Sequence, residues 1–264
     1  MAKVCPLFSG SSGNSYYIGT GDYGILVDAG RTAKQMEGAL AANGIDIASV
    51  QAIFVTHEHT DHIKGLRVLA SRHNMKVYSS LGTLEALNDM QILSGKFSYD
   101  VIPQSGVEEA GMEIRPFHTS HDSAESLGYR ISLPNGRVVV IATDLGFVSD
   151  EVRLALCGCD VAVVESNHDV GMLQNGAYPY YLKRRILSPQ GHLSNSACAQ
   201  ELPGLVRQGT TRILLAHLSR ENNIPQLAYQ TALCSLLEDG MKDGDDFLLR
   251  VSPVENLGGH TLLI

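Results

Sequence analysis

No apolar stretch in this 264-residue chain approaches the roughly 20 residues that a membrane-spanning helix needs. The longest such segments, Arg137 to Ala142 and Asp160 to Val164, are strand-sized, so a helical membrane protein is excluded. The first residues, Met1-Ala2-Lys3-Val4-Cys5-Pro6, reach Ser9-Gly10 before any long apolar core develops. That is unlike a secretory signal, and a cytoplasmic location with no membrane partner is expected. Cysteine is sparse. Cys5, Cys157, Cys159, Cys198 and Cys234 are odd in number and irregularly spaced, with no C-x-x-C pair. A disulfide framework and a thiolate zinc site are both disfavoured, and the cysteines read mostly as small buried apolar residues. Charged residues make up only 18% and hydrophobic residues 44%, without repeats or low-complexity tracts. One large folded domain over residues 1–264 is expected. Positive charge is the scarcer sign, 20 Lys and Arg against 28 Asp and Glu, a formal charge of −8. Such a balance opposes non-specific nucleic-acid binding, although two divalent cations would restore positive charge where a phosphate would sit.

What is abundant is short β-like runs between Gly, Asn and Asp turns. Strands are expected at Lys3–Phe8, Ser15–Ile18, Gly24–Asp28, Ala52–Thr56, Lys76–Ser79, Met112–Phe117, Ser126–Leu133, Arg137–Ala142, Val161–Ser166 and Arg212–Ala216. Helical periodicity marks Thr32–Asn43, Ile63–Arg72, Tyr178–Leu187, Ser194–Gln208 and Pro225–Leu237. The last segment, Asp246 to Ile264, reads as strands around Gly258-Gly259. Strands arranged as hairpins and interrupted by helices imply two packed sheets with helices outside.

The segment from Ala52 to His62 runs from a buried strand through His57-Glu58-His59-Thr60-Asp61-His62 into a helix beginning near Asp61. Four donors of nitrogen and oxygen converge within six residues, a set suited to zinc, manganese or iron. A lone histidine is more often a hydrogen-bonded structural residue, but three histidines and an aspartate in H-x-H-x-D-H order after a strand form a metal motif. One loop cannot close two metal sites. Other strand ends supply candidates: His121 after Pro116-Phe117, Asp144 after Val138–Thr143, and His217 after Ile213–Ala216.

In this ordered set the chain resembles the metallo-β-lactamase-fold hydrolases, whose pattern is H-x-H-x-D-H, then His, Asp and His, in a four-layer αββα sandwich. The resemblance covers essentially the whole chain. It implies two divalent metal ions (zinc, manganese or iron), one held by His57, His59 and His121, the second by Asp61, His62 and His217, with Asp144 bridging both. Asp144 stands where true β-lactamases of the fold usually carry Cys, which makes antibiotic hydrolysis improbable. His118 competes with His121 for the third-ligand role; Ser120-His121-Asp122 followed by Gly128-Tyr129 favours His121. Only 73 positions separate Asp144 from His217, which leaves no room for an inserted β-CASP domain.

Further segments resemble one branch, the YycJ-like (WalJ) family of bacterial 5′-to-3′ exodeoxyribonucleases. They are Ser9–Ser15, Thr143-Asp144-Leu145-Gly146, Glu165-Ser166-Asn167-His168-Asp169, Gly191-His192-Leu193-Ser194-Asn195 and His217–Asn223. Leu145 departs from the family's Thr-Asp-Thr-Gly and removes a hydroxyl beside the bridging aspartate. Ser11, Ser12 and Asn14 lie in a turn that either cradles a phosphate or is a plain hairpin turn. Ser194 or Asn195 caps the next helix, with N–H groups that either face an anion or are simply capped. Asn222 and Asn223 complete the expected phosphate-binding set. Tyr178 to Arg185 joins three tyrosines to three consecutive basic residues. That pattern fits a nucleic-acid groove and, equally, a helix with Tyr buried on one side and cations solvated on the other.

The function implied is phosphodiester hydrolysis of DNA, in DNA processing or repair. Two metals about 3.5–4 Å apart would lower the pKa of the attacking water; Asp61 would orient it and His192 would protonate the leaving oxygen. The rivals are a small-molecule metallo-hydrolase, either a cyclic phosphodiesterase or a glyoxalase-like thioesterase, and a non-catalytic metal-binding sensor module. No protein partner is indicated.

Overall fold

The computed structural model describes residues 2–20 and 22–264, and these form two compact units. The first takes the described residues up to Pro116, with Ser123–Arg137 and Pro253–Ile264. It opens with β1 (Ala2–Phe8), β2 (Ser15–Thr20) and β3 (Tyr23–Val27), joined as antiparallel neighbours. Then follow α1 (Ala33–Ala42), β4 (Val50–Phe54), α2 (Thr60–Ile63), α3 (Leu66–His73), β5 (Lys76–Ser79), α4 (Leu81–Asp89) and β6 (Tyr99–Val101). β3, β4, β5 and β6 pair in parallel. β7 (Val107–Glu109) and the antiparallel β8 (Met112–His118) precede β9 (Leu127–Ser132).

The second unit comprises Phe117–Asp122 and Val138–Ser252. Its elements are β10 (Val138–Ala142), α5 (Asp150–Leu156), β11 (Val161–Glu165), α6 (Val170–Asn175), α7 (Tyr180–Ile186), α8 (Asn195–Arg207), β12 (Arg212–Ala216), α9 (Pro225–Glu238) and β13 (Leu248–Val251). All four of its strands run parallel, in the order β10-β11-β12-β13. The chain then returns to the first unit with β14 (Leu262–Leu263), which pairs with β1.

Within each unit, helices pack on strands. In the first, Leu26, Ile53 and Val77 from the strands meet Met36 and Leu40 of α1, Leu66 and Leu69 of α3, and Leu84 and Leu87 of α4. In the second, Val140, Val164 and Leu215 meet Val152 and Leu156 of α5, Leu202 and Leu205 of α8, and Leu236 of α9. Burying each such side chain contributes about 1.5–3 kcal/mol. The helices begin where their caps dictate: Thr32 and Gln35 form a capping box on α1, and Ser149 and Ser194 cap α5 and α8. Among the described residues no helix is long and apolar enough to cross a membrane.

Three sequence expectations change. The strands are not mainly hairpins, because β3 to β6 and β10 to β13 are parallel and are linked through helices. The single helix expected over Ile63–Arg72 breaks into α2 and α3 at Gly65, whose N–H bonds Ala29 C=O at 2.8 Å. A Cβ at Gly65 would stand 2.1 Å from the Arg31 carbonyl oxygen, so the break seats the chain against the loop after β3. The short helices α4, α5 and α6 were not anticipated, since two turns give too few apolar repeats to read. Of the cysteines, Cys5, Cys159 and Cys198 are buried, as expected, whereas Cys157 and Cys234 are exposed.

Candidate functional site

In the first unit, β4 delivers the chain into a loop whose next turn is α2. His57 and His62 are buried, His59 and Asp61 half-buried, and His59 is the residue that opens α2. The His57 ring centroid lies 4.6 Å from that of His59 and 4.2 Å from that of His62. The order H-x-H-x-D-H thus becomes one compact group.

Asp28, one residue beyond β3, fixes this group. Its buried carboxylate accepts from His62 Nδ1 at 2.7 Å, from the Thr56 N–H at 2.8 Å and from the Thr56 hydroxyl at 2.9 Å. Burial pushes the Asp28 carboxyl up, against the pull of His62 and Thr56. With the His62 proton held on Nδ1, its Nε2 faces Asp61, whose Oδ2 is 3.6 Å away. Asn14 braces the same pair: its Oδ1 accepts the Gly10 N–H at 2.9 Å while Nδ2 lies 3.3 Å from Asp61 Oδ2 and 3.1 Å from His62 Nε2. The Asn14 N–H also bonds Asp61 C=O at 2.8 Å, and Gly30 N–H bonds Asn14 C=O at 2.9 Å. Gly30 must be glycine, since a Cβ there would lie 1.8 Å from the Asp61 carbonyl oxygen.

The second unit presents a matching group. Asp144 and His217 stand just past β10 and β12, and both take left-handed backbone, φ 60° and 54°. Asp144, Glu165, His192 and His217 each offer a donor atom within 4.8 Å of the others. Glu165, the buried last residue of β11, accepts His217 Nδ1 at 2.9 Å and His192 Nδ1 at 2.8 Å on one oxygen. Its other oxygen accepts the Leu145 N–H at 2.7 Å and the Leu193 N–H at 3.1 Å. Burial would raise this carboxyl, but the charge and hydrogen bonds of His192 and His217 outweigh it and hold Glu165 below the usual carboxylate range. His121 Nδ1 donates to the Gly191 carbonyl at 3.1 Å, and burial pushes its imidazole below the ordinary value. The Nε2 atoms of His217 and His121 then lie 3.5 and 3.8 Å from Asp144 Oδ1. His118 instead turns to Glu151, 3.2 Å from Nδ1.

Three imidazoles, His62, His121 and His217, therefore have their protons assigned to Nδ1 by an acceptor and their Nε2 directed at a carboxylate. That is the donor chemistry a divalent metal ion takes, with the orienting acceptors that metal-binding histidines use. Neither Asp28 nor Glu165 was among the site residues expected from the sequence. The signal for them is slight: an Asp before Ala-Gly at a strand end, and an acidic residue closing the apolar run Val161–Val164.

The expected phosphate-binding residues divide. Ser11 is exposed and Ser12 accepts Arg31 Nη2 at 2.8 Å, so of that turn it is Asn14 that contacts Asp61 and His62. Ser194 caps α8 by accepting the Ala197 N–H at 3.2 Å. Asn195 and Asn223 bond each other reciprocally, both at 2.9 Å, and Asn195 also accepts the Ser166 hydroxyl at 2.7 Å. Both carboxamides are thus engaged in a buried brace between loops. Asn222 is buried as well, with its C=O accepting the Asp169 N–H at 2.9 Å. His168 is buried among the same loops with neither ring nitrogen hydrogen-bonded, and burial lowers it to about 4.

A family model described as "Beta-lactamase superfamily domain" matches residues 23–217, a span that includes every candidate metal-ligating residue named above. Exodeoxyribonuclease YycJ of Bacillus anthracis is 40% identical over 245 residues, 91% of this chain and 91% of the relative. Exodeoxyribonuclease WalJ of Streptococcus pneumoniae serotype 2 (strain D39 / NCTC 7466) is 38% identical over 252 residues, 93% and 92% of the two chains. Among solved structures, Zn(2+)-bound PqqB from Methylobacterium extorquens superposes with a TM-score of 0.74 at 15% identity, covering 100% of both chains. That likeness shows the fold, the αββα sandwich expected from the sequence. The chain is a hydrolase of the beta-lactamase superfamily and belongs, within it, to the family of the exodeoxyribonucleases YycJ and WalJ.

Proposed function

We propose that this enzyme is a metal-dependent phosphodiesterase that degrades DNA from the 5′ end. The observation that carries the reading is 40% identity across nine-tenths of the chain to a protein named as an exodeoxyribonuclease. Supporting it, three of the histidines expected to bind metal, His62, His121 and His217, are held with Nε2 toward carboxylates. The residues that would hold the divalent ions are His57, His59, Asp61 and His62 of the first unit and His121, Asp144 and His217 of the second. Zinc, manganese and iron all suit these donors. When bound, the ions supply Lewis acidity and lower the pKa of water.

The remaining work falls to the chain's own groups. Asp61, steadied by Asn14, would orient the attacking water. His192 keeps 15% of its side chain exposed, with Nδ1 fixed on Glu165. With Nδ1 directed at Glu165, Nε2 is the ring atom left to pass a proton to a departing alkoxide. Hydrolysis of end-labelled single-stranded and duplex DNA in Mn²⁺ and then Zn²⁺ tests the reading. Mononucleotides should appear first from the 5′-labelled end. Turnover of a thioester or cyclic phosphodiester with no release from any DNA refutes it.

A further inference from the structure

Helix α7 stands apart from the rest of the surface. From Val170 to Gln200 the sequence has no Asp or Glu, in a chain with 28 of them, yet it carries Lys183, Arg184 and Arg185 in succession. Tyr180 and Tyr181 are 76% and 75% exposed, and of the helix only Ile186 is buried. The amphipathic alternative, with tyrosines packed inward, is thereby removed for these two residues. The Arg184 guanidinium lies over the Tyr180 ring, 6.0 Å from its centroid, and Lys183 Nζ donates to Gln174 C=O at 2.9 Å.

The helix is also tied directly to the catalytic candidate. Arg185 forms a two-pronged ion pair with Asp122, the neighbour of His121. The Ile186 carbonyl at the far end accepts the His192 N–H at 3.0 Å. Gly191 packs so tightly there that a Cβ would fall 2.2 and 2.3 Å from the Ile186 and Arg185 carbonyl oxygens. One rigid helix about 10 Å long therefore separates the tyrosine pair from His192.

We propose that α7 is a platform for unpaired nucleotides of the substrate strand: Tyr180 and Tyr181 stack on bases while Lys183 and Arg184 hold the adjoining phosphates. The proposal rests on the DNA reading above. Single-stranded DNA is the occupant because a duplex keeps its base faces stacked, whereas unpaired bases offer theirs to aromatic side chains, and the acid-free cationic stretch complements a phosphate backbone.

The test pairs Tyr180→Ala/Tyr181→Ala with Tyr180→Trp/Tyr181→Trp in the metal-loaded enzyme. Binding is read by fluorescence anisotropy of a labelled single-stranded oligonucleotide whose phosphorothioate linkages resist hydrolysis. Turnover of ordinary single-stranded DNA and of bis(p-nitrophenyl) phosphate is measured alongside. The alanine pair should weaken single-strand binding about tenfold or more, raise KM on DNA, and lower the ratio of DNA to small-diester kcat/KM; the tryptophan pair should restore all three. Binding within twofold of wild type in the alanine pair overturns the platform. So does an equal loss on both substrates, which would mean that α7 only seats His192, or a loss confined to self-association, which would make this face a contact between copies. Wild-type turnover of the small diester with neither binding nor cleavage of DNA overturns the DNA reading itself, and the platform with it.

Discussion

Glu165→Gln is the most informative single change, because the side chain keeps its shape and loses only half of its acceptor capacity. The carboxylate serves four donors, His192 and His217 Nδ1 on one oxygen and the N–H groups of Leu145 and Leu193 on the other. A carboxamide has one oxygen. If it faces the backbone, its NH2 meets both imidazoles, which must then move their protons to Nε2, and His217 loses the lone pair directed at Asp144. If it faces the imidazoles, two buried backbone donors are left without an acceptor, at about 1–3 kcal/mol each. Loss of an orienting acceptor lowers metal affinity about 10–100-fold. The expected outcome is a fall of that order, measured by competition with a chromogenic chelator, or an equivalent loss in the urea midpoint of metal-free protein, with kcat reduced in either case. Full metal affinity, stability and kcat in the variant would refute the role given to Glu165.

Two further predictions concern other parts of the molecule. Asp61→Ala and His57→Ala should abolish hydrolysis and lower the bound-metal count while circular dichroism shows a folded chain; retained activity in rigorously demetallated buffer would contradict both. His168, lowered from 6.5 to about 4 by burial, gives a stability term with a defined sign. Between those values the unfolded chain binds a proton that the folded chain does not. The contribution is therefore full above about pH 6.5 and lost as pH falls to 4, by roughly 3 kcal/mol. His168→Gln should flatten the difference between urea midpoints at pH 7 and pH 4.5, and an unchanged difference would be evidence against this account.

The donors that the sequence disclosed were those carried by local order. His57, His59, Asp61 and His62 share one loop, and His121, Asp144 and His217 each follow a readable strand. The residues that orient them were hidden for a physical reason: Asp28 lies 34 positions from His62 and Glu165 lies 52 from His217, so no local pattern links acceptor to imidazole. Asn195 and Asn223 show the converse, since side chains that look ligand-like in a line of sequence turn out to bond each other across 28 positions. Strand positions were legible from apolar runs, but parallel pairing was not, because partners such as Val140 and Ala162 meet only after an intervening helix.

The left-handed backbone at Asp28, Asp144 and His217 limits how far this framework can be repurposed. Outside glycine, such φ values are tolerated best by Asn, Asp and His, so the bend restricts the ligand alphabet before any metal is considered. Placing Cys at position 144, as β-lactam chemistry in the same fold would ask, means forcing a poorly suited residue into that bend, with about 1–3 kcal/mol of strain to absorb. Conversion between the two chemistries therefore calls for relaying the turn after β10, not merely exchanging one side chain.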